Sequence, residues 1–482
     1  MSGFSERLSR WMEERDVTAA DMSRFCKTEP AQMYKYVKGK ELPPAEDMVE
    51  QMGICMQLSP KEVQELKVEY AIERIGRVTY YRRRSVEDFL LHFPEFAEDA
   101  GQWLLVQTQQ QGRQDFQDCH AIEGRKALNQ TISRILLEEG KKDSAHICLI
   151  LQPEDSFLFD FLAARAGIFS KAKIEHIICM NNDKNSIEKS TENLSSLKRM
   201  LTLQSSILDY KSYYYYDNAE SHFHNLNLLP NMILTSSHVL LYHQEEERGL
   251  LLCMPSAVSM MKKKFEDCLA FSAPFIRVIT DGFQEFDQLS VIVFAQTARS
   301  IQADPCIMPL LTPDMVPDYV DEPMRITAMQ QMLMGYENAY GCRKPGDNRS
   351  YMTVAGLEYF LETGINLEIP VFLNIRFTKE DRIMLLKRMI TQDKVDSFIL
   401  KGSLAQLPLN MHLYLSQAGA ALLFYNQRRE QIYMILKEPG LLEMLRDYLE
   451  SLSDREHYSL EESHAIIEDM IRTYEKKWGM KK

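Results

Sequence analysis

Hydrophobic and polar positions at the start of the chain alternate with the period of short helices. Within "FSERLSRWMEER" (4–15), Phe4, Leu8, Trp11 and Met12 fall on one stripe, which predicts a first helix. Thr18 then stands as an N-cap, with Asp21 three residues on, before a second helix that turns Met22, Phe25 and Cys26 inward. Pro30 suits the first position of a third helix, in which Met33, Tyr36 and Val37 form the buried stripe and Gly39 marks the end. A fourth helix follows Pro43 and Pro44, and a fifth opens at the Ser59 cap with Pro60 and Glu62 behind it. The helical pattern then continues past Gly76 through residues 61–91.

From about residue 116 the period changes. An amphipathic helix, "GRKALNQTISRILLEEGKK", leads into "AHICLILQ", a short continuous apolar run of the kind a buried strand needs, and helix and strand patterns go on alternating. An internal echo organises this region. "LLYHQEEERGLLLCMPSAVSMMKKKFEDCLA" from Leu240 and "LLFYNQRREQIYMILKEPGLLEMLRDYLESL" from Leu422 share one order: apolar strand, charged hairpin turn, apolar strand, proline, amphipathic helix. Between the copies, prolines at 305, 309, 313, 317 and 323 have linker composition. The expected organisation is a helical domain over 1–75, a helical connector over 76–115 with a surface for pairing two chains, α/β lobes over 116–300 and 326–455, a linker over 301–325 between them, and a closing helix over 456–482 that starts at the Ser59-like cap Ser459.

Charge separates these parts. The chain carries 56 Lys/Arg against 69 Asp/Glu, a net of −13, but residues 1–85 hold 15 against 14 and the rest 41 against 55, so the acidity sits downstream. That balance argues against a general nucleic-acid coat protein while leaving a local basic surface open. Nine scattered cysteines without a CxxC pair fit buried thiols in a reducing compartment, and no apolar run is long enough to cross a bilayer. A cytoplasmic location without a membrane partner is expected.

Residues 4–75 resemble the XRE/Cro-type helix-turn-helix family. Val17-Thr18 stand where that family has Leu-Ser, Met22-Ser23 where it has Leu-Ala, Met33 and Tyr36 where it has its core isoleucines, and Gly39-Lys40 with Pro43 where it has its Gly-Lys and proline. The chain departs at Lys27, a glycine in the family, at Glu29, a capping serine, and at Ala19, where a phosphate-binding glutamine is common. The resemblance implies a lambda repressor-like fold that binds operator DNA as a dimer, with Thr18 among the residues at the DNA. The residues support the same reading independently. With Met33, Tyr36 and Val37 buried, Ala31, Gln32, Lys35 and Lys38 project outward, where Gln32 is placed to read adenine and Lys35 to reach guanine or phosphate. Arg24, Lys27, Lys38 and Lys40 supply phosphate neutralisation, and residues 22–40 carry five basic side chains against Glu29 alone.

The duplicated lobes, with a hairpin leading through a proline into a helix, resemble the phospholipase D fold. That family's enzymes use HxK followed by Asp in each lobe, with His as nucleophile and Lys neutralising phosphate. Neither copy has the motif: Val and Leu follow His238, and Leu and Tyr follow His412. The resemblance therefore implies degenerate lobes that sense rather than cut, and no catalytic residue is carried over. There is no P-loop, GxGxxG, GxSxG or HExxH. His222, His224, His238 and His243 read as ordinary histidines, so no metal and no cofactor are expected. The Tyr213–Tyr216 run reads as strand packing or as a ligand-stacking surface.

The fold class expected is thus multidomain: an all-α helix-turn-helix head followed by a duplicated two-lobe α/β region. The function expected is that of a dimeric, sequence-specific transcriptional regulator, not an enzyme, whose partners are double-stranded operator DNA, a second copy of the chain and an unidentified small-molecule or peptide effector. The alternatives are a phosphoester- or nucleotide-processing enzyme with an accessory DNA-binding head, and a protein- or peptide-interaction platform.

Overall fold

The computed structural model describes residues 3–93, 118–153, 156–181, 187–204, 208–217, 228–279, 292, 298–320, 322–341, 346, 348–369, 375–392, 395–425 and 431–480. Its contacts form two compact units, residues 1–85 with 183–191, and residues 86–182 with 192–482.

The first unit contains α1 (Gly3–Glu14), α2 (Ala19–Phe25), α3 (Pro30–Val37), α4 (Glu46–Cys55) and α5 (Pro60–Ile75). Capping boxes start two of them, Thr18 with Asp21 on α2 and Ser59 with Glu62 on α5. Each satisfies two amide groups that a helix start would otherwise leave unpaired. The core is built from the apolar stripes: Phe4, Leu8, Trp11 and Met12 meet Met22, Cys26, Met33, Tyr36 and Val37, closed by Leu66 and Tyr70. Tyr70 also donates its hydroxyl to the carbonyl of Pro43 at 2.9 Å, a buried bond that ties α5 to the loop before α4. Phe25 differs from expectation: it is half exposed, because Met22 and Cys26, four residues apart, hold the buried stripe of α2 and leave Phe25 to one side of it. The run over 61–91 is broken as well. Gly76, at φ 86°, ends α5, and α6 (Arg77–Leu91) begins beside it and buries Val86, Phe89 and Leu90 in the core of the second unit.

The second unit carries β1 (Cys119–Glu123), α7 (Arg125–Gly140), β2 (His146–Ile150), α8 (Ser156–Ala164), β3 (Lys173–Met180), α9 (Ile187–Gln204), β4 (Asp209–Tyr216), β5 (Asn231–Leu234), β6 (Val239–His243), β7 (Arg248–Leu252) and α10 (Pro255–Ala270). It continues with β8 (Ala273–Ile279), β9 (Ala298–Gln302), α11 (Pro323–Gly341), β10 (Asn348–Met352), α12 (Val354–Thr363), α13 (Lys379–Thr391), β11 (Asp396–Ile399), β12 (Met411–Ser416), β13 (Gly419–Tyr425), β14 (Gln431–Leu436), α14 (Pro439–Ser451) and α15 (Leu460–Trp478). All fourteen described strands form one mixed sheet, in the order β1-β7-β6-β5-β2-β3-β4-β8-β14-β13-β12-β9-β10-β11.

That sheet corrects the expected fold class. The molecule is a mixed α/β protein dominated by a single large sheet, not an all-α helix-turn-helix head followed by separate small lobes. The order 1-7-6-5-2-3-4 recurs as 8-14-13-12-9-10-11, and each copy sets four antiparallel strands beside three parallel ones. The copies are fused through antiparallel pairing of β4 with β8, where Ser212 faces Ile276. Backbone groups at the two edges make that junction, and hydrophobic patterning says nothing of which edges meet. The echo itself corresponds to β6, β7 and α10 in one copy and β13, β14 and α14 in the other, with Pro255 and Pro439 at the first helical positions. The proline-bearing stretch 301–325 starts inside the sheet, in β9, and residues 301–311 are buried, so the first part of this segment is core rather than exposed connection. Pro309 lies in a 3-10 turn at Met308–Leu310, Pro313 and Pro317 in one at Pro313–Asp318, and Pro323 opens α11. Helix α15 opens at the capping box of Ser459 and Glu462 and sets Ile467, Ile471 and Tyr474 against Leu385 and Met389 of α13.

One backbone feature gives a direct test. Lys27, exposed after α2, adopts φ 51°, a left-handed conformation that costs a side-chain-bearing residue about 1–2 kcal/mol. Lys27→Gly is expected to stabilise the first unit by about 0.5–1 kcal/mol after allowing for glycine's greater unfolded freedom, and Lys27→Ala to give no gain. Hydrogen exchange of the α2 and α3 amides reads the difference.

Candidate nucleic-acid interface

The outward surface of α3 is fixed by what the helix buries. Met33, Tyr36 and Val37 face the core, which leaves Ala31, Tyr34 and Lys38 exposed and Gln32 and Lys35 partly so. Lys40, in the turn that follows, is exposed, as are Arg24 and Lys27 on and after α2. Thr18 is committed to the start of α2: its hydroxyl accepts from the Asp21 amide at 3.2 Å and donates back to the Asp21 carboxylate. Glu29 is the N-cap residue of α3 by backbone geometry, but its side chain makes no capping bond.

The two residues expected to read bases share one acidic partner. Gln32 Nε2 donates to Glu41 Oε2 at 2.6 Å, and Lys35 Nζ donates to Glu41 Oε1 at 2.8 Å. These bonds hold the Glu41 carboxyl below its ordinary range and the Lys35 ammonium above its own. Arg24 is likewise paired, to Asp21 at 2.5 Å. All are surface pairs in contact with water and open to screening by salt, so a polyanion can displace them. Glu41 lies one residue beyond the basic stretch 22–40, and a charge count that stopped there missed it. Tyr34 was also missed, although 31, 34 and 38 share helical spacing; its ring is 53% exposed, with the Lys38 ammonium 5.6 Å from its centre.

The histidines and tyrosines singled out in the sequence are placed as follows. His222 and His224 lie outside the described residues. His243 is buried, and its Nδ1 accepts from the Glu246 amide at 3.2 Å; His238 Nδ1 is 3.1 Å from Ser237 Oγ. On β4, Tyr214 packs edge-on against Phe275 and Tyr216 donates to Glu438, while Tyr213 and Tyr215 join the apolar cluster beneath α10. No helix among the described residues is long and apolar enough to cross a membrane.

A second constellation had no sequence motif to announce it. Gln302 and His412 are partners across β9 and β12, and both are fully buried with Asp304 and Ser350. Glu368 joins them, accepting from the Tyr414 hydroxyl at 2.6 Å, while Asp304 Oδ2 accepts from the Leu367 amide at 2.8 Å. His412 Nε2 lies 3.2 Å from Asp304 Oδ1 without the alignment a hydrogen bond needs, so Asp304 Oδ1, Glu368 Oε2 and both ring nitrogens of His412 are unsatisfied among the described residues. Burial pushes both carboxyls up to about 7 and the imidazole down to about 4.

The sign of the resulting pH dependence follows from linkage. An unfolded Asp or Glu ionises near pH 4, so between about pH 4 and 7 the folded state holds more protons at Asp304 and Glu368 than the unfolded chain does, and stability falls as pH rises through that window. His412 acts in the opposite sense between about pH 4 and 6.5, leaving the two acids dominant. Asp304→Asn is expected to make the fall in unfolding free energy between pH 4 and 7 shallower, as measured by denaturant titration at a series of pH values.

Comparison with known proteins adds weak likenesses only. No family model matches the chain, and no curated protein matches it. Among solved structures, the archaeal chromatin protein TrmBL2, whose structure is described as showing a novel mode of DNA binding, is 12% identical with a TM-score of 0.20, over 56% of this chain and 98% of its own. Polyphosphate kinase from Porphyromonas gingivalis is 12% identical with a TM-score of 0.22, over 74% of this chain and 56% of its own. Phosphatidylserine synthase from Haemophilus influenzae is 9% identical with a TM-score of 0.21, over 75% of this chain and 94% of its own. Scores this low establish no shared fold.

Proposed function

We propose that this chain is a DNA-binding regulator that reads duplex DNA with α3. The observation that carries the reading is the outward face of that helix: polar and basic, seated on a buried Met33, Tyr36 and Val37 stripe, and followed by exposed Lys38 and Lys40. An α-helix fits the major groove, where Gln32 pairs bidentately with adenine and Lys35 reaches guanine, while Arg24, Lys27, Lys38 and Lys40 neutralise phosphates. A unit of this size covers one half-site, so two chains bind a two-fold symmetric operator. Glu41 adds discrimination. Docking frees Gln32 and Lys35 from its carboxylate, and only a base pair that replaces those bonds repays their loss. The sheet unit then acts as the sensor or oligomerisation region, with an effector biasing DNA-competent and incompetent arrangements through different affinities for the two.

One observation favours a second reading, a phosphoester- or nucleotide-processing activity. Asp304, Glu368 and His412 are two carboxyls and an imidazole in one neighbourhood, with shifted ionisation. Their burial sets them apart from a site that turns over substrate from solution, and favours sensing.

Selection of duplexes from a random pool by the purified full chain tests the leading reading. It is expected to return a symmetric site, with Gln32→Ala broadening one position of each half-site at a cost of about 1–3 kcal/mol. Selection that returns no shared sequence, or an unchanged consensus for Gln32→Ala, would remove α3 as the reader.

A further inference from the structure

We propose that His146, Cys148 and Glu175 form a binding site for one thiophilic divalent cation, zinc in the first instance. The backbone brings these residues together. On β2, His146 and Cys148 are two residues apart and so share a face of the sheet, and the parallel register sets Glu175 of β3 beside Cys148 and Lys173 beside His146. Donor atoms of the three converge. Cys148 Sγ is 3.5 Å from His146 Nε2, Glu175 Oε2 is 2.8 Å from the same nitrogen, and all three ligand atoms lie within 4.8 Å of one another.

Those separations suit tetrahedral zinc. Bond lengths of about 2.3 Å to sulfur and about 2.0–2.1 Å to nitrogen place the two atoms about 3.5 Å apart across a tetrahedral angle, the spacing already present. The nitrogen–oxygen pair has to open from 2.8 Å to about 3.3 Å, since a proton now holds it together. Lys173 Nζ, 2.9 Å from Glu175 Oε1, anchors one carboxylate oxygen and leaves Oε2 facing the imidazole, the outer-shell support that ligating carboxylates need. Cys148 and Glu175 are buried, whereas the His146 side chain is one-third exposed and gives the ion a path in. Three protein ligands leave a fourth position for water.

The repeated strand order supplies a comparison within the chain. In the second copy the corresponding register positions are Ala298, Ser300 and Ser350, since Ser300 faces Ser350 as Cys148 faces Glu175. No ligating set stands there, so the His, Cys and Glu of the first copy are not a requirement of the sheet. Binding also has a defined proton balance. The sulfur–metal bond forms as the S–H bond breaks, and the proton between His146 and Glu175 moves to the other ring nitrogen or to solvent. At least one proton is thus released to solvent for each ion bound.

Cobalt(II) titration of the reduced full-length chain tests the site, because a thiolate ligand gives a near-ultraviolet sulfur-to-cobalt charge-transfer band that oxygen and nitrogen ligands do not. One cobalt per chain is expected, with the band discharged by one equivalent of zinc and absent in Cys148→Ser, while the other eight cysteines remain in place. His146→Gln, at a partly exposed position, is expected to keep the fold and weaken binding at least tenfold with the charge-transfer band retained at saturation. A band of equal intensity in Cys148→Ser, or no band in the parent chain, would overturn the assignment. Should Cys148→Ser fail to fold, unchanged cobalt affinity in His146→Gln would overturn it equally.

Discussion

The antiparallel pairing of β4 with β8 is the constraint on which the sheet unit depends. Without it each strand set would be a seven-stranded half with an open edge at its centre; with it, a single apolar core runs from Leu149 and Ile174 through Tyr214 and Phe275 to Leu422 and Leu436. The two copies meet head to tail, the β4 edge of one on the β8 edge of the other, not edge to identical edge as a two-fold arrangement would have it. The outer edges are consequently different. At β11 the Ile399 amide is taken by Ser463 and its carbonyl by the Tyr458 amide, which seals the strand, while β1 is short, largely exposed and ends on Glu123.

The two faces of the repeated sheet have diverged in chemistry. In the first copy, Met232, Leu234 and Ile177 pack around Phe265 of α10 beside the His146, Cys148 and Glu175 cluster. Where the second copy has the register equivalents of Met232 and Ile150, it has His412 and Gln302, buried and short of partners. Buried polar groups without partners cost about 1–3 kcal/mol each, which makes their retention on one face a sign of use rather than of packing. The face that carries them is therefore where a sensing role for this unit is best sought.

Legibility from sequence divides along the same physical line. Local patterns read well: the Phe4, Leu8, Trp11 and Met12 stripe, the caps at Thr18, Ser59 and Ser459, and the hairpin–proline–helix echo each depend on residues a few positions apart. Long-range facts did not read. Pairing of β4 with β8 rests on backbone groups, and the proline-bearing 301–325 stretch looked like a linker because its turns are proline-rich, although Ser300, Gln302 and Asp304 alternate with Ile301 and Ala303 as a strand on a polar face does. At the candidate DNA surface the helix and its outward residues were legible, but the Glu41 clamp was not, since a surface hydrogen bond across nine residues leaves no periodic trace.

Equilibrium binding of the full chain to a fixed duplex as a function of salt tests the central claim most directly. If the α3 face docks on DNA, log affinity falls linearly with log salt, and Lys38→Ala and Lys40→Ala each reduce the slope by about 1 while Lys262→Ala on α10 leaves it unchanged. A slope that none of the α2–α3 cations alters, or that Lys262→Ala alters as much as Lys38→Ala, would contradict the account.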